Sequence, residues 1–229
     1  MTCLRTIPCL VLALTLLAAP AAAGEARQAL EPKLDQMLSI LSDPRYEGGE
    51  HFEEQKQRIK TVIQELVDFK LFTQLALGKR HWMEFSGQQQ ERLVDVFTRL
   101  MERKYLDRIR EYTNEKVRYV SEEVSSNGRK ARIETEIVSS KVGQVPVTYS
   151  LYKDRGSGEW RVYDLKVEGI SMLSNWRTQF SEALQKMSPE ELIQKMEKQA
   201  KGKDVESLSP TPGVGENDGK DDGSARERQ

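Results

Sequence analysis

The chain has 229 residues and a formal net charge of −1, with 35 Lys and Arg residues against 36 Asp and Glu residues. This balance argues against nucleic-acid binding, which requires a basic excess. Both cysteines, Cys3 and Cys9, lie at the extreme N-terminus, so the rest of the chain can form no disulfide.

The N-terminal segment has the layout of a secretory signal peptide. Arg5 supplies the positive charge, residues 7–19 are apolar, and Ala21-Ala22-Ala23 offers a small-residue cleavage site. The apolar run is shorter than the roughly 20 residues that span a bilayer. Cleavage is therefore expected, and a retained membrane anchor is the alternative.

Composition divides the chain into three parts. Residues 1–23 are the expected signal peptide, and residues 24–200 are expected to form a single domain. Residues 201–229 are dominated by Gly, Asp, Ser, Pro and Glu, which predicts a disordered polar tail. An exported domain without cysteine fits the bacterial periplasm.

The first half of the domain shows the apolar spacing of helices. Helices are predicted over residues 25–41, 52–67 and 87–112, with an apolar cluster after the second that Gly78 ends. Ser86 is a candidate N-cap for the third helix, with Gln89 at the capping-box position.

After Asn114 the spacing of apolar residues changes from about 3.6 to 2, which indicates strands. Four strands are predicted, beginning near Val117, Ala131, Val145 and Trp160. Asn127-Gly128, Gly143 and residues 154–158 provide the turns between them. Because the connections are short, neighbouring strands must be antiparallel, and their clean alternation predicts one covered face.

Two further helices are predicted after the sheet. The first begins at Ser171 or Ser174 and runs to about residue 185. The second covers about residues 190–200, after the cap and first-turn pair Ser188-Pro189. The sequence therefore predicts an α+β fold, in which about five to six helices cover a roughly four-stranded, mainly antiparallel curved sheet.

Few residues offer catalytic or metal chemistry. The histidines, His51 and His81, have no ligand-spaced partner, and no nucleophile-elbow, phosphate-loop or dinucleotide motif is present. Helices on a curved sheet can also form a small enzyme cone, in which Asp164 is the one candidate acid or base on a strand. The alternative for Asp164 is a structural contact with Arg177 or with a backbone amide.

The domain also carries more large apolar side chains than a four-stranded sheet needs. Composition alone does not distinguish a filled core from a cavity lined by the same residues. Two classes of function therefore remain open beside an enzyme: an apolar-ligand carrier and an adaptor or chaperone-like protein with a filled core.

Several motifs resemble the MlaC / toluene-tolerance family of periplasmic phospholipid-binding proteins. They are Leu77-Gly78 followed by Trp82, the helix spacing Phe97-x-x-Leu100-x-x-x-x-Tyr105, the strand Val147-Thr148-Tyr149, the run from Trp160 to Ser171, and Asn175-Trp176-Arg177. The family usually has tyrosine where this chain has Trp176, which removes a hydroxyl that could contact a headgroup.

The resemblance implies a sheet like that of nuclear transport factor 2 and a deep apolar pocket between sheet and helices. It implies no enzymatic activity and no cofactor, with a bound phospholipid as cargo. We assign to the pocket Phe72, Trp82, Phe97, Leu100, Met101, Tyr105, Val147, Tyr149, Leu151, Val162, Met172 and Trp176. We assign Asp164 and Arg177 to its polar rim or to a structural role.

The resemblance also implies partners. The expected role is a monomeric shuttle between an outer-membrane lipoprotein–porin complex and an inner-membrane ABC transporter with its lipid-binding substrate protein. Such transport maintains the lipid asymmetry of the outer membrane. A hopanoid or another apolar cargo is the alternative to a phospholipid.

Overall fold

The structure is a computed structural model that describes residues 24–106, 115–139 and 143–202. The expected signal peptide, most of the expected tail and the end of the third predicted helix lie outside the described residues.

Six helices are present in the described part of the chain. The apolar spacing found in the sequence explains them, because each has buried residues on one side. They are α1 Glu25–Leu41, α2 Phe52–Leu66, α3 Phe69–Glu84, α4 Gly87–Leu106, α5 Met172–Leu184 and α6 Pro189–Ala200. A 3-10 turn, Pro44–Tyr46, connects α1 to α2.

Side-chain caps begin three of the helices where the sequence predicted them. Ser86 and Gln89 exchange the two hydrogen bonds of a capping box before α4. Ser188 begins α6 with the same arrangement. Of the two candidates before α5, Ser171 is the cap, because its hydroxyl accepts from the amide of Ser174.

Gly78 interrupts its helix, as the sequence predicted. With φ 76° and ψ 156° its backbone is not helical, so the first part of α3 ends there and a second part continues to Glu84 after a kink. α1 has the predicted bounds, although Pro32 lies in its interior, on the exposed side. The helix persists at Pro32 because packing on the rest of the domain outweighs propensity.

The sheet has five antiparallel strands in the order β1-β2-β3-β4-β5. They are β1 Lys116–Val124, β2 Lys130–Ser139, β3 Gly143–Lys153, β4 Trp160–Val167 and β5 Ile170–Ser171. The four predicted strands are confirmed. β5 was not predicted, because two residues are too short to show a periodicity.

Irregularities bend the sheet at two places. The register shifts between Tyr119 and Ser121 on β1, and between Ser150 and Leu151 where β3 meets β4. Bulges of this kind increase strand twist and curvature. The predicted α+β class, with helices over a mainly antiparallel sheet, is confirmed.

Candidate functional site

The buried apolar residues form three clusters. The helical cluster joins α3, α4, α5 and α6; the sheet cluster joins α1, the end of α2 and the inner face of β2, β3 and β4; a smaller third cluster joins α1, α2 and the end of α4. A single domain usually has one contiguous core. Because the predicted pocket residues belong to the helical and the sheet cluster, the boundary between these two clusters is the candidate site for an apolar ligand.

The predicted pocket residues fall on both sides of this boundary. Those in or against the helical cluster are Phe72, Trp82, Phe97, Leu100, Met101, Tyr105, Met172 and Trp176. Those in the sheet cluster are Val147, Tyr149, Leu151 and Val162. The sequence prediction therefore combined residues of two apolar surfaces, and their lining of a common pocket stays a prediction.

Leu165 connects the two surfaces. It is half-buried on β4, opposite Tyr149, and packs against both the helical and the sheet cluster. Met37 of α1 has the corresponding position between the sheet cluster and the third cluster. Neither was among the predicted site residues. Strict alternation from Val162 would place Leu165 on the other face of β4. The register shift between β3 and β4 brings it opposite Tyr149, so no local sequence signal could have identified it.

The inner face of the sheet is unevenly covered by the described helices. Near the β1–β2 and β3–β4 turns, Leu151 and Val162 pair across strands and are buried. At the other end, Val117, Ile137 and Val145 lie side by side and are only half-buried. Apolar surface available to a ligand is therefore concentrated at that second end.

Part of the helical cluster is closely packed aromatic core. Phe97 is completely buried, and its ring centroid lies 4.9 Å from that of Trp176 and 5.6 Å from those of Phe72 and Phe180. Ring pairs at these separations contribute about 0.5–1.5 kcal/mol each beyond their burial. These rings support the wall of the candidate site by packing on one another.

Two tyrosines place polar groups on the inner face of the sheet. Burial raises the pKa of Tyr149 to about 12, although a hydrogen bond with Thr135 acts in the opposite direction. Burial also raises the pKa of Tyr119. The Tyr119 hydroxyl has no hydrogen-bond partner among the described residues. Both phenols are therefore neutral hydrogen-bonding groups at physiological pH.

The polar residues at the β4–α5 corner have structural partners. One carboxylate oxygen of Asp164 accepts from the Ser171 hydroxyl at 2.7 Å, and the other accepts from the Leu173 amide at 2.9 Å. Arg177 does not pair with Asp164. Its guanidinium donates twice to the carbonyl oxygen of Leu75, at 2.9 and 3.2 Å. Asp164 thus caps the corner, which was the structural alternative to a catalytic acid or base.

A charged cleft of about 370 Å³ lies elsewhere, between α2, α4 and the end of α6. Its cations have partners: Lys60 contacts Glu102 at 3.0 Å, and Arg103 donates to the carbonyl oxygens of Gln199 and Ala200.

Within residues 24–106, 115–139 and 143–202, no group of three His, Cys, Asp or Glu residues could hold a metal ion. No helix in these ranges is long and apolar enough to span a bilayer.

The arrangement of helices on an open antiparallel sheet defines an α+β protein with the fold of a known lipid-binding structure. A phospholipid-binding protein from Ralstonia solanacearum, solved in complex with a phospholipid, matches with a TM-score of 0.69 and 22% identity. The match covers 78% of this chain and 98% of that one.

The family follows from the sequence. The profile of the MlaC protein family matches residues 31–198, and the chain belongs to this family. The resemblance first indicated by the motifs is therefore confirmed.

Two relatives are similar over part of their length. The intermembrane phospholipid transport system binding protein MlaC of Haemophilus influenzae is 29% identical over 121 residues, which cover 52% of this chain and 56% of that protein. The toluene tolerance protein ttg2D of Pseudomonas putida is 23% identical over 128 residues, covering 56% and 58%. The matched region thus spans a little over half the length of each relative.

Proposed function

We propose that this protein is a non-enzymatic phospholipid-binding shuttle that carries lipid between the inner and outer membranes. The observation that carries the proposal is the division of the apolar interior between helices and sheet, with Leu165 at the boundary. Family membership and the fold of a phospholipid-bound structure support the same function.

Apolar burial alone would hold such a ligand. Each buried methylene contributes about 0.8 kcal/mol, so one long acyl chain gains roughly 12 kcal/mol before the costs of ordering. That gain retains a lipid in water without headgroup recognition. Release then requires a partner that opens or replaces a pocket wall, since a static pocket would release its lipid slowly.

The cellular setting of the proposal is the periplasm. Residues 1–23 act as the cleaved signal peptide, and residues 24–200 form the lipid-binding domain. The partners are an outer-membrane lipoprotein–porin complex and an inner-membrane ABC transporter with its lipid-binding substrate protein. A periplasmic location is what family membership implies.

The direct test is the mass of the bound ligand. The protein is exported to the periplasm, purified without detergent and extracted with organic solvent. We expect phospholipid in stoichiometric amount by mass spectrometry. Recovery of a hopanoid would change the cargo, and recovery of no apolar ligand would overturn the carrier function.

A variant at the cluster boundary locates the site. Leu165→Arg places a charge against both clusters, and we expect lipid retention to be lost while the fold persists, because Leu165 is only half-buried. The same change at Leu151 or Val162 would be a poorer test, because both are buried and charging them would unfold the domain. The matched control is Val120→Arg on β1, where the side chain is 54% exposed.

A filled-core adaptor protein is the second candidate, and the close aromatic packing around Phe97 favours it. The two candidates differ in fluorescent-lipid titration of delipidated protein. A carrier shows saturable binding that Leu165→Arg removes, whereas an adaptor shows none.

A further inference from the structure

The chain immediately before α1 is held by a carboxylate from the sheet. The backbone nitrogen of Gly24 donates to Oε2 of Glu122 at 2.9 Å, and the amide of Arg27 donates to Oε1 at 3.3 Å. Glu122 lies on β1, the edge strand, and is half-buried. The two residues are 98 positions apart in sequence, so this contact fixes the start of α1 on the sheet.

At position 24 glycine allows this close contact, and the backbone conformation does not call for it. Gly24 has φ −65°, which any residue can adopt. A Cβ atom built there would lie 2.5 Å from a carboxylate oxygen of Glu122. The carboxylate therefore rests directly against the backbone of the residue that follows the predicted cleavage site.

Among the described residues, no Lys, Arg or His nitrogen forms an ion pair with the Glu122 carboxylate. The nearby Arg27 has its guanidinium 3.1 Å from Glu31 and 4.3 Å from the ring centre of Tyr119. A half-buried carboxylate that accepts only from amides would gain from a cation placed at the nitrogen of Gly24.

We propose that a signal peptidase cleaves between Ala23 and Gly24 and that the new terminal ammonium pairs with Glu122. Hydrolysis adds water across the peptide bond: the hydroxyl goes to the carbonyl carbon of Ala23, and the nitrogen of Gly24 becomes an amine. At neutral pH this amine takes a proton from solvent and carries a positive charge. The amide–carboxylate hydrogen bond then becomes a charge-assisted one, at the same nitrogen.

Removal of the signal peptide thereby strengthens the attachment of α1 to the sheet. This helix supplies Ala26, Leu30 and Leu34 to the sheet cluster, and so forms one wall of the candidate lipid site. An unprocessed chain, or one cut at another alanine, lacks the ion pair. The pairing of the new N-terminus with Glu122 does not depend on whether the protein carries lipid.

The first measurement is the intact mass of the protein exported to the periplasm. We expect an N-terminal residue of Gly24. Any other terminus in the exported protein would overturn the proposal.

The second measurement compares two forms of the mature chain in urea, one beginning at Gly24 and one retaining Ala23. Retention of Ala23 converts the nitrogen of Gly24 back to an amide and moves the ammonium by one residue. We expect the unfolding equilibrium constant of the Gly24 form to be about fivefold smaller than that of the Ala23 form. A fivefold effect is the upper end of the stabilisation that a partly exposed ion pair provides. Equal constants would overturn the proposal.

The variant Glu122→Gln distinguishes the contribution of the ion pair to stability from other effects of the N-terminus on stability. It keeps an acceptor oxygen for the two nitrogens but removes the charge, so the difference between the two forms should disappear or reverse. Glu123→Gln, at the exposed neighbouring position, should leave the difference intact. If Glu122→Gln does not fold, acetylation of the Gly24 form serves instead and should bring its constant to that of the Ala23 form. A difference that survives either change would contradict the pairing.

Discussion

Arg177 joins α5 to α3 through a single carbonyl oxygen, that of Leu75. Leu75 lies in the turn before the kink at Gly78, where helical carbonyls lose their intrahelical partners. The Arg177 guanidinium, with two N–H donors, takes the place of the backbone amide that would donate to this carbonyl in an unbroken helix. This explains why an exposed arginine in a family motif contributes to the fold.

We expect Arg177→Ala to lower the free energy of unfolding by about 1 kcal/mol, because the Leu75 carbonyl loses its charged donor. Urea denaturation would measure this, and Arg177→Lys should recover part of the loss. Arg80→Ala is the control on α3, since the Arg80 side chain is 87% exposed and its ion pair, with Glu84 at 3.5 Å, lies within the same helix. Equal, negligible effects of both alanine variants would remove the structural role of Arg177.

Tyr149 makes stability depend on alkaline pH. Its pKa of about 12 in the folded protein lies above the ordinary value of 10.0. The folded state therefore favours the neutral phenol, and this stabilisation is complete below pH 10 and is lost as pH rises toward 12. The loss amounts to roughly 3 kcal/mol over that window.

Tyr149→Phe cannot ionise, so its free energy of unfolding should fall less than that of the parent between about pH 9 and pH 12. Urea titrations at several pH values measure the difference. Parallel pH profiles for the two proteins would show that Tyr149 ionises as easily in the folded state as in the unfolded one.

At the scale of the element, the kink in α3 depends on one backbone conformation. The dihedral angles of Gly78 lie in a region that only glycine adopts readily, and a Cβ there would meet nothing within 4 Å. We expect Gly78→Ala to cost about 1–3 kcal/mol through backbone strain alone.

Gly87→Ala is the matched control for this prediction. Gly87, the first residue of α4, also has open space at the Cβ position, but its φ is not positive. Because alanine favours helix, this change should stabilise the protein by up to about 1 kcal/mol. Thermal or urea denaturation of the pair isolates the effect of φ, and equal shifts would contradict it.

At the scale of the whole molecule, shortening a side chain should have different effects in the packed core and at the candidate ligand surface. In the core it should mainly lower stability, and at the ligand surface it should mainly weaken lipid retention. Phe97→Ala removes a completely buried ring from three aromatic neighbours and should cost about 3–5 kcal/mol. Because the Phe97 ring packs on other rings, we expect the surviving folded protein to keep its lipid.

Leu165→Ala should show the opposite behaviour. Leu165 is half-buried between two clusters, so its truncation should cost less stability than that of Phe97 but weaken lipid retention. Denaturation and lipid mass, measured on both variants, test the distinction. A Phe97→Ala protein that is barely destabilised yet loses lipid would mean that Phe97 lines the pocket itself.

Local sequence signals predicted most of the elements. The apolar spacing located the helices, and the Asn127-Gly128 turn and the alternation after Ala131 located the strands, because these patterns depend on near neighbours. The motifs around Trp160 and Trp176 likewise predicted the family. Gly78 likewise marked the interruption of α3 through its own backbone preference, whereas Pro32 is held inside α1 by contacts distant in sequence.

The sequence by itself thus determined the α+β class, three of the helix caps, the antiparallel pairing of four strands and the membership of a lipid-binding family. The tertiary structure alone decided which apolar residues face one another, that Leu165 joins two clusters, that Arg177 binds Leu75, and that Glu122 holds Gly24. The physical reason is range: periodicity and capping act over a few residues, whereas these contacts join positions up to 102 residues apart. Only the register of the strands and the packing of the helices bring such positions together.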